Sequence, residues 1–182
     1  VELSYNWLVG GLTTSHHGAI LPAEATSRGQ VWTVQVMPHD GEEDGLTATA
    51  EVSIENSAPE MDALILGPTE AYEGTTLTAL ATASDEDDDD LTLSYAWWVD
   101  GVFAVEGPEP TLDGSSFDKH QEVLVEVTAA DPFIDSDPIR SDPVTILNTV
   151  PSIVTAYLDP TEVFEGSVVA CAALSWDDDD DD

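Results

Sequence analysis

Four segments of this chain recur in the same order about 91 residues further along, and this repeat constrains the fold more than any other feature. The separation between matching residues drifts only from 90 to 92. Self-similarity at a fixed period is the mark of a chain built from tandem structural units. The matching segments are Ser4–Gly11 with Ser94–Gly101, Val34–Val36 with Val125–Val127, Val52–Pro59 with Val144–Pro151, and Pro68–Gly74 with Pro160–Gly166.

The segments between turn-forming residues alternate apolar and polar side chains, as in Val31–Val36 and Val123–Val127. This alternation predicts half-buried β-strands, and the abundance of Thr, Val, Tyr and Trp in them favours the same structure. Short strands in units of this length predict an all-β fold of tandem immunoglobulin-like β-sandwiches, with about 91 residues per repeat. The strands predicted for one complete unit are 61–66, 75–83, 91–99, 110–117, 122–129 and 143–147.

The repeat divides the chain into one complete unit and two partial ones. Residues 58–149 form the complete repeat, 1–57 hold strands C to G of a preceding repeat, and 150–182 hold strands A and B of a following one. Asp182 aligns with Asp90 and Val1 aligns with Leu91, so the two ends fit head to tail. Either the chain is a segment of a longer array, or separate chains complete each other's sandwiches by donated strands and form a filament. The apolar face that a free half-sandwich exposes argues against the second explanation.

The composition excludes several classes of partner. Three bases against 38 acids give a formal net charge of −35. Nucleic acid and anionic membrane surfaces repel such a chain, because binding to them requires Lys and Arg. No apolar run approaches the roughly 20 residues of a membrane span, so we expect no membrane insertion. The hydrophobic content of 42% and the five Trp residues indicate folded cores rather than disorder.

One stretch of the complete repeat resembles a known family. Glu73-Gly74-Thr75 precedes a strand, Ala83-Ser84-Asp85 opens an acidic run, and Tyr95-Ala96-Trp97 follows it. This order is similar to bacterial surface Ig-like repeats of the PKD and cadherin-like type, and the resemblance covers essentially the whole chain. It departs from the family pattern at Asp88, where glycine is expected, and at Trp176, where the preceding repeat has Ser84. The resemblance implies stalks, adhesin spacers or accessory modules of exported proteins, many of which bind calcium at the junctions between repeats.

Two runs of six acids follow the second strand of their repeats, at 85–90 and 177–182. Ca²⁺ is the natural neutraliser, because it takes six to eight oxygen ligands from flexible carboxylate loops. Mg²⁺ is less suited, since it keeps most of its waters. The alternative is a solvated acidic loop that keeps the protein soluble. The candidate calcium ligands are Asp85, Asp87, Asp89, Glu73, Asp131, Asp177, Asp179 and Asp181.

Other side chains receive structural roles. Trp7 and Trp97 are predicted to lie in the sandwich cores, and Cys171 is predicted to point inward from its strand. Trp98 points to the opposite face, where it could stack on a sugar or form an interface. Ser115 and Ser116, with His120 and Asp118, contain the residue types of a catalytic triad without its architecture, so we expect no enzymatic activity.

These observations predict a structural repeat segment of an extracellular bacterial filament, stalk or adhesin, rigidified by calcium. Its partner is itself, either head to tail along a fibre or as a continuous array. The alternatives are a glycan- or receptor-binding module and an accessory spacer of a secreted hydrolase. An exposed aromatic platform would favour the first alternative.

Overall fold

The computed structural model describes residues 1–179, and the fold is all-β. The chain forms two compact units. Among the described residues, no helix has the length and apolar character needed to cross a membrane. The first unit comprises 1–59 with the loops 85–90 and 131–134, and the second comprises 60–84, 91–130 and the chain from 135 onward.

The first unit contains one antiparallel sheet with the strand order β2-β1-β3-β4. Tyr5 pairs with Val36 and Trp7 with Val34 across the two central strands. The rings of Trp7 and Trp32 meet edge to face at 6.4 Å. A short 3₁₀ helix, Ala23–Ala25, precedes β3. The strands are β1 (Glu2–Val9), β2 (Leu12–Thr13), β3 (Val31–His39) and β4 (Ala48–Ser53).

The second unit contains a complete immunoglobulin-like sandwich. One sheet has the order β10-β7-β5, and the other has the order β6-β13-β11-β8-β9, with β12 paired to β11. Strand β6 runs parallel to β13, whereas the other neighbours are antiparallel. The strands are β5 (Glu60–Gly67), β6 (Ala71–Tyr72), β7 (Leu77–Ser84), β8 (Thr92–Val99), β9 (Val102–Gly107), β10 (Thr111–Leu112), β11 (Glu122–Ala130), β12 (Ile139–Arg140) and β13 (Val144–Leu147).

The core of this sandwich lies between its two sheets. Trp97 is 1% exposed and sits opposite Val125 in the β8–β11 register, as Trp7 sits opposite Val34 in the first unit. The alternation of buried and half-buried residues along β11 is the two-residue period read from the sequence. The buried cluster consists of Leu66, Ala71, Leu77, Ala79, Tyr95, Trp97, Leu112, Phe117, Val123, Val125, Val127, Val144 and Ile146.

One predicted strand is much shorter than expected. Instead of spanning 110–117, strand β10 covers only Thr111–Leu112, and the chain then forms the 3₁₀ helix Gly114–Ser116. The side chain of Asp113 accepts a hydrogen bond from the backbone N–H of Ser115 and caps this turn. Asp and Ser favour such local bonds over a sheet ladder, which explains why the strand stops there.

The last two strands, β14 (Ser152–Asp159) and β15 (Ala170–Trp176), repeat the β5–β7 pair in register. Leu158 pairs with Cys171 as Leu66 pairs with Ala79, and both pairs carry an irregularity near the start of the first strand. Every residue of β14 and β15 is nevertheless exposed. The prediction of a buried Cys171 is therefore wrong for the described chain, since no second sheet covers this pair.

Candidate metal site

The loop Asp85–Asp90 is organised by its own first carboxylate. Asp85 Oδ1 accepts hydrogen bonds from the backbone N–H groups of Asp87 at 2.8 Å and Asp89 at 3.3 Å. Asp88 has a φ of 57°, the left-handed conformation that glycine adopts most readily. The residue that departs from the family pattern therefore stands where the backbone favours glycine.

Three carboxylates converge within this loop. Asp85, Asp87 and Asp89 each offer an oxygen, and these oxygens lie within 4.8 Å of one another. Asp87 Oδ2 also accepts the backbone N–H of Ser57 at 2.7 Å. Asp85 Oδ2 is buried and has no hydrogen-bond partner among the described residues. Burying a carboxylate oxygen without a partner costs free energy, so Asp85 Oδ2 is the atom of this loop that a bound cation would stabilise most.

Asp131 belongs to the same unit but accepts protein hydrogen bonds rather than joining the group of three. Its Oδ1 accepts from the backbone N–H groups of Phe133 and Ile134, each at 2.6 Å, and its Oδ2 accepts from the amide of Asn56 at 2.8 Å. Burial raises the pKa of this carboxyl, but the three hydrogen bonds and the nearby Arg28 outweigh it, so the pKa lies below its usual value. The carboxylate is therefore held ionised without a metal.

Glu73 is not brought into the group. Its carboxylate Oε1 accepts the backbone N–H of Lys119 at 2.8 Å, within the second unit. This hydrogen bond holds the turn that precedes β11.

Sequence reasoning overlooked two residues that contact the acidic loop, Arg28 and Ser57, and a third, Asn56, that is linked to the loop through Arg28. Arg28 forms an ion pair with Asp89, and its Nη1 donates to the Asn56 side chain at 2.7 Å. Ser57 contributes its backbone N–H to Asp87. A signal for the arginine was present, because Arg28 and Lys119 are two of only three bases and lie 91 residues apart.

The second acidic run repeats part of this arrangement. The backbone N–H of Thr149 donates to Asp179 Oδ2, as that of Ser57 does to Asp87. Asp177 Oδ1 accepts the backbone N–H of Asp179 at 3.1 Å. Asp179 is 6% exposed, and its Oδ1 has no hydrogen-bond partner among the described residues. Asp181, the remaining predicted ligand, lies outside the described residues.

Two other candidate groups have local partners. The hydroxyl of Ser115 donates to Asp113 at 2.6 Å, rather than to a histidine. This bond and the Ser115 backbone N–H lower the pKa of Asp113.

Trp98 is half-buried, meets Phe103 edge to face at 5.6 Å, and lies 5.6 Å below the guanidinium of Arg140. Its ring is packed against protein and does not form an open stacking platform.

Comparisons with known proteins found a similarity among solved structures but no match in sequence. No family model and no curated protein matches the sequence. Among solved structures, the chain is similar to a crystal structure of domains from titin, at 12% identity and a TM-score of 0.43. The match covers 79% of this chain and 54% of that one, so this chain spans about half the length of the titin structure.

Proposed function

We propose that this chain is a structural repeat segment of an extracellular bacterial filament, stalk or adhesin, of the PKD and cadherin-like type, and that its acidic loops bind calcium. Its role is mechanical: each sandwich encloses its own core, and successive sandwiches form a linear array. The net charge of −35 suits such an array, because like-charged fibres repel one another and stay dispersed.

The observation that carries this proposal is the contrast in burial at matching positions. Leu66 is 6% exposed in the complete sandwich, whereas the matching Leu158 is 56% exposed. Val144 is 5% exposed, whereas the matching Val52 is 51% exposed. Burying one such side chain contributes about 1.5–3 kcal/mol. Partial sandwiches with this pattern gain stability when another repeat supplies the missing strands.

The complete sandwich provides the template for that completion. Its β5–β7 pair covers the sheet that contains β8, β11 and β13. The β14–β15 pair would cover β1, β3 and β4 of the next repeat in the same way, in a continuous array or in a second copy of the chain. In the template, the backbone N–H of Ala79 donates to Pro110 O at 2.8 Å. The residues that align with these two are Cys171 and Ala19.

A disulfide test follows from this register. Ala19→Cys, together with the natural Cys171, should give a ladder of disulfide-linked chains on non-reducing gels after mild oxidation. The matched control is Thr47→Cys, an exposed loop position, which should give no ladder. Equal cross-linking of both variants would contradict the strand register. Monomers in solution and in electron micrographs would contradict completion between separate copies.

Calcium binding is supported by the donor set of the loop Asp85–Asp90. Its three convergent carboxylates are hard oxygen ligands, and the unpartnered Asp85 Oδ2 is available to a cation. A bound calcium would join these carboxylates and hold the loop in one conformation. Because Asp87 also binds Ser57, the ion would stiffen the chain segment that leads into β5.

The calcium proposal is tested by comparing two equal changes of charge. Asp85→Asn keeps an oxygen for the backbone bonds but removes the negative charge, so we expect at least a tenfold loss of calcium affinity by calorimetry. Asp90→Asn makes the same change in the same loop, outside the group of three, and should alter affinity about twofold or less. An unchanged melting temperature after chelation of the wild-type protein would reject calcium rigidification.

A further inference from the structure

Arg28 contacts three separate segments of the first unit with one guanidinium group. It forms the ion pair with Asp89 in the loop Asp85–Asp90 and donates to Asn56 Oδ1 at 2.7 Å. Its guanidinium carbon also lies 4.3 Å from the ring centroid of Phe133, in the loop 131–134. A planar guanidinium suits this arrangement because its N–H groups can donate in the plane while its flat face packs on an aromatic ring.

Asn56 extends the contact to a fourth group. Its side-chain oxygen accepts from Arg28, and its side-chain nitrogen donates to Asp131 Oδ2 at 2.8 Å. The charges on either side determine this orientation of the amide, since arginine can only donate and a carboxylate can only accept. Arg28, Asn56, Asp89 and Asp131 therefore form a single connected network.

Basic residues are scarce in this chain, so the place of Arg28 beside an acidic loop is notable. The chain has three bases, and Arg28 and Lys119 occupy the same place in successive repeats, each ahead of an acidic run in the sequence. Arginine stays protonated at all physiological pH values, so its positive charge is present without bound metal and does not depend on pH. Its side chain is 29% exposed and that of Asp89 is 12% exposed, so solvent screens the pair only in part.

We propose that Arg28 is a positioning residue that acts as the resident cation of the first acidic loop. It holds the loops Asp85–Asp90 and 131–134 against Asn56 and Ser57 without bound metal. This inference goes beyond the proposed calcium site, and it holds or fails in metal-free solution whether or not calcium binds.

The most direct reporter is the backbone amide of Ser57, which donates to Asp87 in the acidic loop. Hydrogen exchange of the full chain would be followed by NMR in EDTA at low ionic strength. Arg28→Gln should accelerate exchange at Ser57 about tenfold, since charge-assisted hydrogen bonds are lost. Exchange at Val125, in the core strand β11, should not change.

Two further variants separate positioning from general destabilisation. Arg28→Lys keeps the charge but loses the planar contacts, so Ser57 should exchange at a rate between wild type and Arg28→Gln. Arg140→Gln removes an exposed arginine that pairs with Glu126 at 2.6 Å, and it should leave Ser57 unchanged. Exchange at Ser57 as slow in Arg28→Gln as in wild type would overturn the proposal, as would equal acceleration by Arg140→Gln.

The wild-type protein allows an independent test of the proposal if a variant fails to fold. Raising the salt concentration from about 20 mM to about 0.5 M in EDTA should accelerate exchange at Ser57, because salt screens the Arg28–Asp89 pair. Exchange at Val125 should remain constant. A rate at Ser57 that does not respond to salt would count against a resident cation.

Discussion

The strand pairs β5–β7 and β14–β15 share a sequence pattern and a register but differ in environment. Leu66 opposes Ala79 in one pair, and Leu158 opposes Cys171 in the other. One face of the first pair is buried against a second sheet, whereas the second pair is exposed along its whole length. Register therefore depends on the two strands alone, because cross-strand hydrogen bonds and side-chain alternation set it. Burial depends on a second layer that the pair cannot supply.

The largest expected effect comes from shortening the matching leucines of these two strand pairs. Leu66→Ala should lower the free energy of unfolding by about 2–5 kcal/mol, because it opens a cavity in the complete core. Leu158→Ala should change it by about 0.5 kcal/mol or less in the isolated chain, since that side chain is exposed. Urea unfolding measures both values. In assembled filaments the two costs should become similar, and a cost that stays small there would contradict completion of the partial sandwiches.

The next comparison concerns two aligned 3₁₀ helices. A Cβ on Gly114 would lie 2.2 Å from the backbone carbon of Gly74, so Gly114→Ala should lower the free energy of unfolding by about 1–3 kcal/mol through overpacking. Ala23 aligns with Gly114 in the first unit and already carries a Cβ. Ala23→Gly should therefore change stability by no more than about 1 kcal/mol, from the lost helix propensity. Denaturant unfolding curves compare the two variants. An equal cost at both positions would show that crowding by Gly74 is not the cause.

A third comparison uses the turns before β3 and β11. Gly29 and His120 align there with φ values of 76° and 66°, and each donates its N–H to the end of a neighbouring segment, Ile54 O or Ile146 O, at 2.8 Å. His120→Gly should raise the free energy of unfolding by about 1 kcal/mol, because only glycine adopts this conformation without strain. Gly29→Ala should lower it by a similar amount, although its Cβ meets no atom within 4 Å. Thermal melts of both variants measure the effects, and shifts in the same direction would contradict this explanation.

The smallest expected effect is the pH dependence of stability that two aligned aspartates contribute. Asp40 and Asp131 both accept backbone N–H groups from the residues two and three positions further on, and the folded state lowers the pKa of both. Each carboxylate therefore stabilises the fold above its unfolded pKa, near 3.8, and this contribution is lost as the pH falls through the lower folded pKa.

Unfolding at pH 2–6 of Asp40→Asn and Asp131→Asn measures these contributions. The stability difference from wild type should shrink below about pH 4 for both, and the change should be larger for Asp131, which has Asn56 and Arg28 as additional partners. A difference that grows on acidification would contradict the lowered pKa values.

Much of the fold and part of the site could be predicted from the sequence. The period of about 91 residues and the two-residue alternation identified strands β5, β7, β8, β11 and β13 of the complete sandwich, because both signals are local or self-similar. They did not predict β6, β9 or β12. The convergence of Asp85, Asp87 and Asp89 was also predictable, since alternate residues of a tight loop face the same point. The roles of Arg28 and Asn56 were not, because they lie 61 and 33 residues from Asp89 in the chain.

The sequence alone determined the repeat, the positions of the main strands and the concentration of acid in two loops, because these depend on neighbouring residues and on matches between repeats. Tertiary structure decided which of the matching apolar positions are buried, since burial requires a second sheet. It also decided that Asp131 binds Asn56 and that Glu73 binds the Lys119 backbone. A carboxylate takes whichever donor the folded chain brings within 3 Å or so, and composition does not specify that donor.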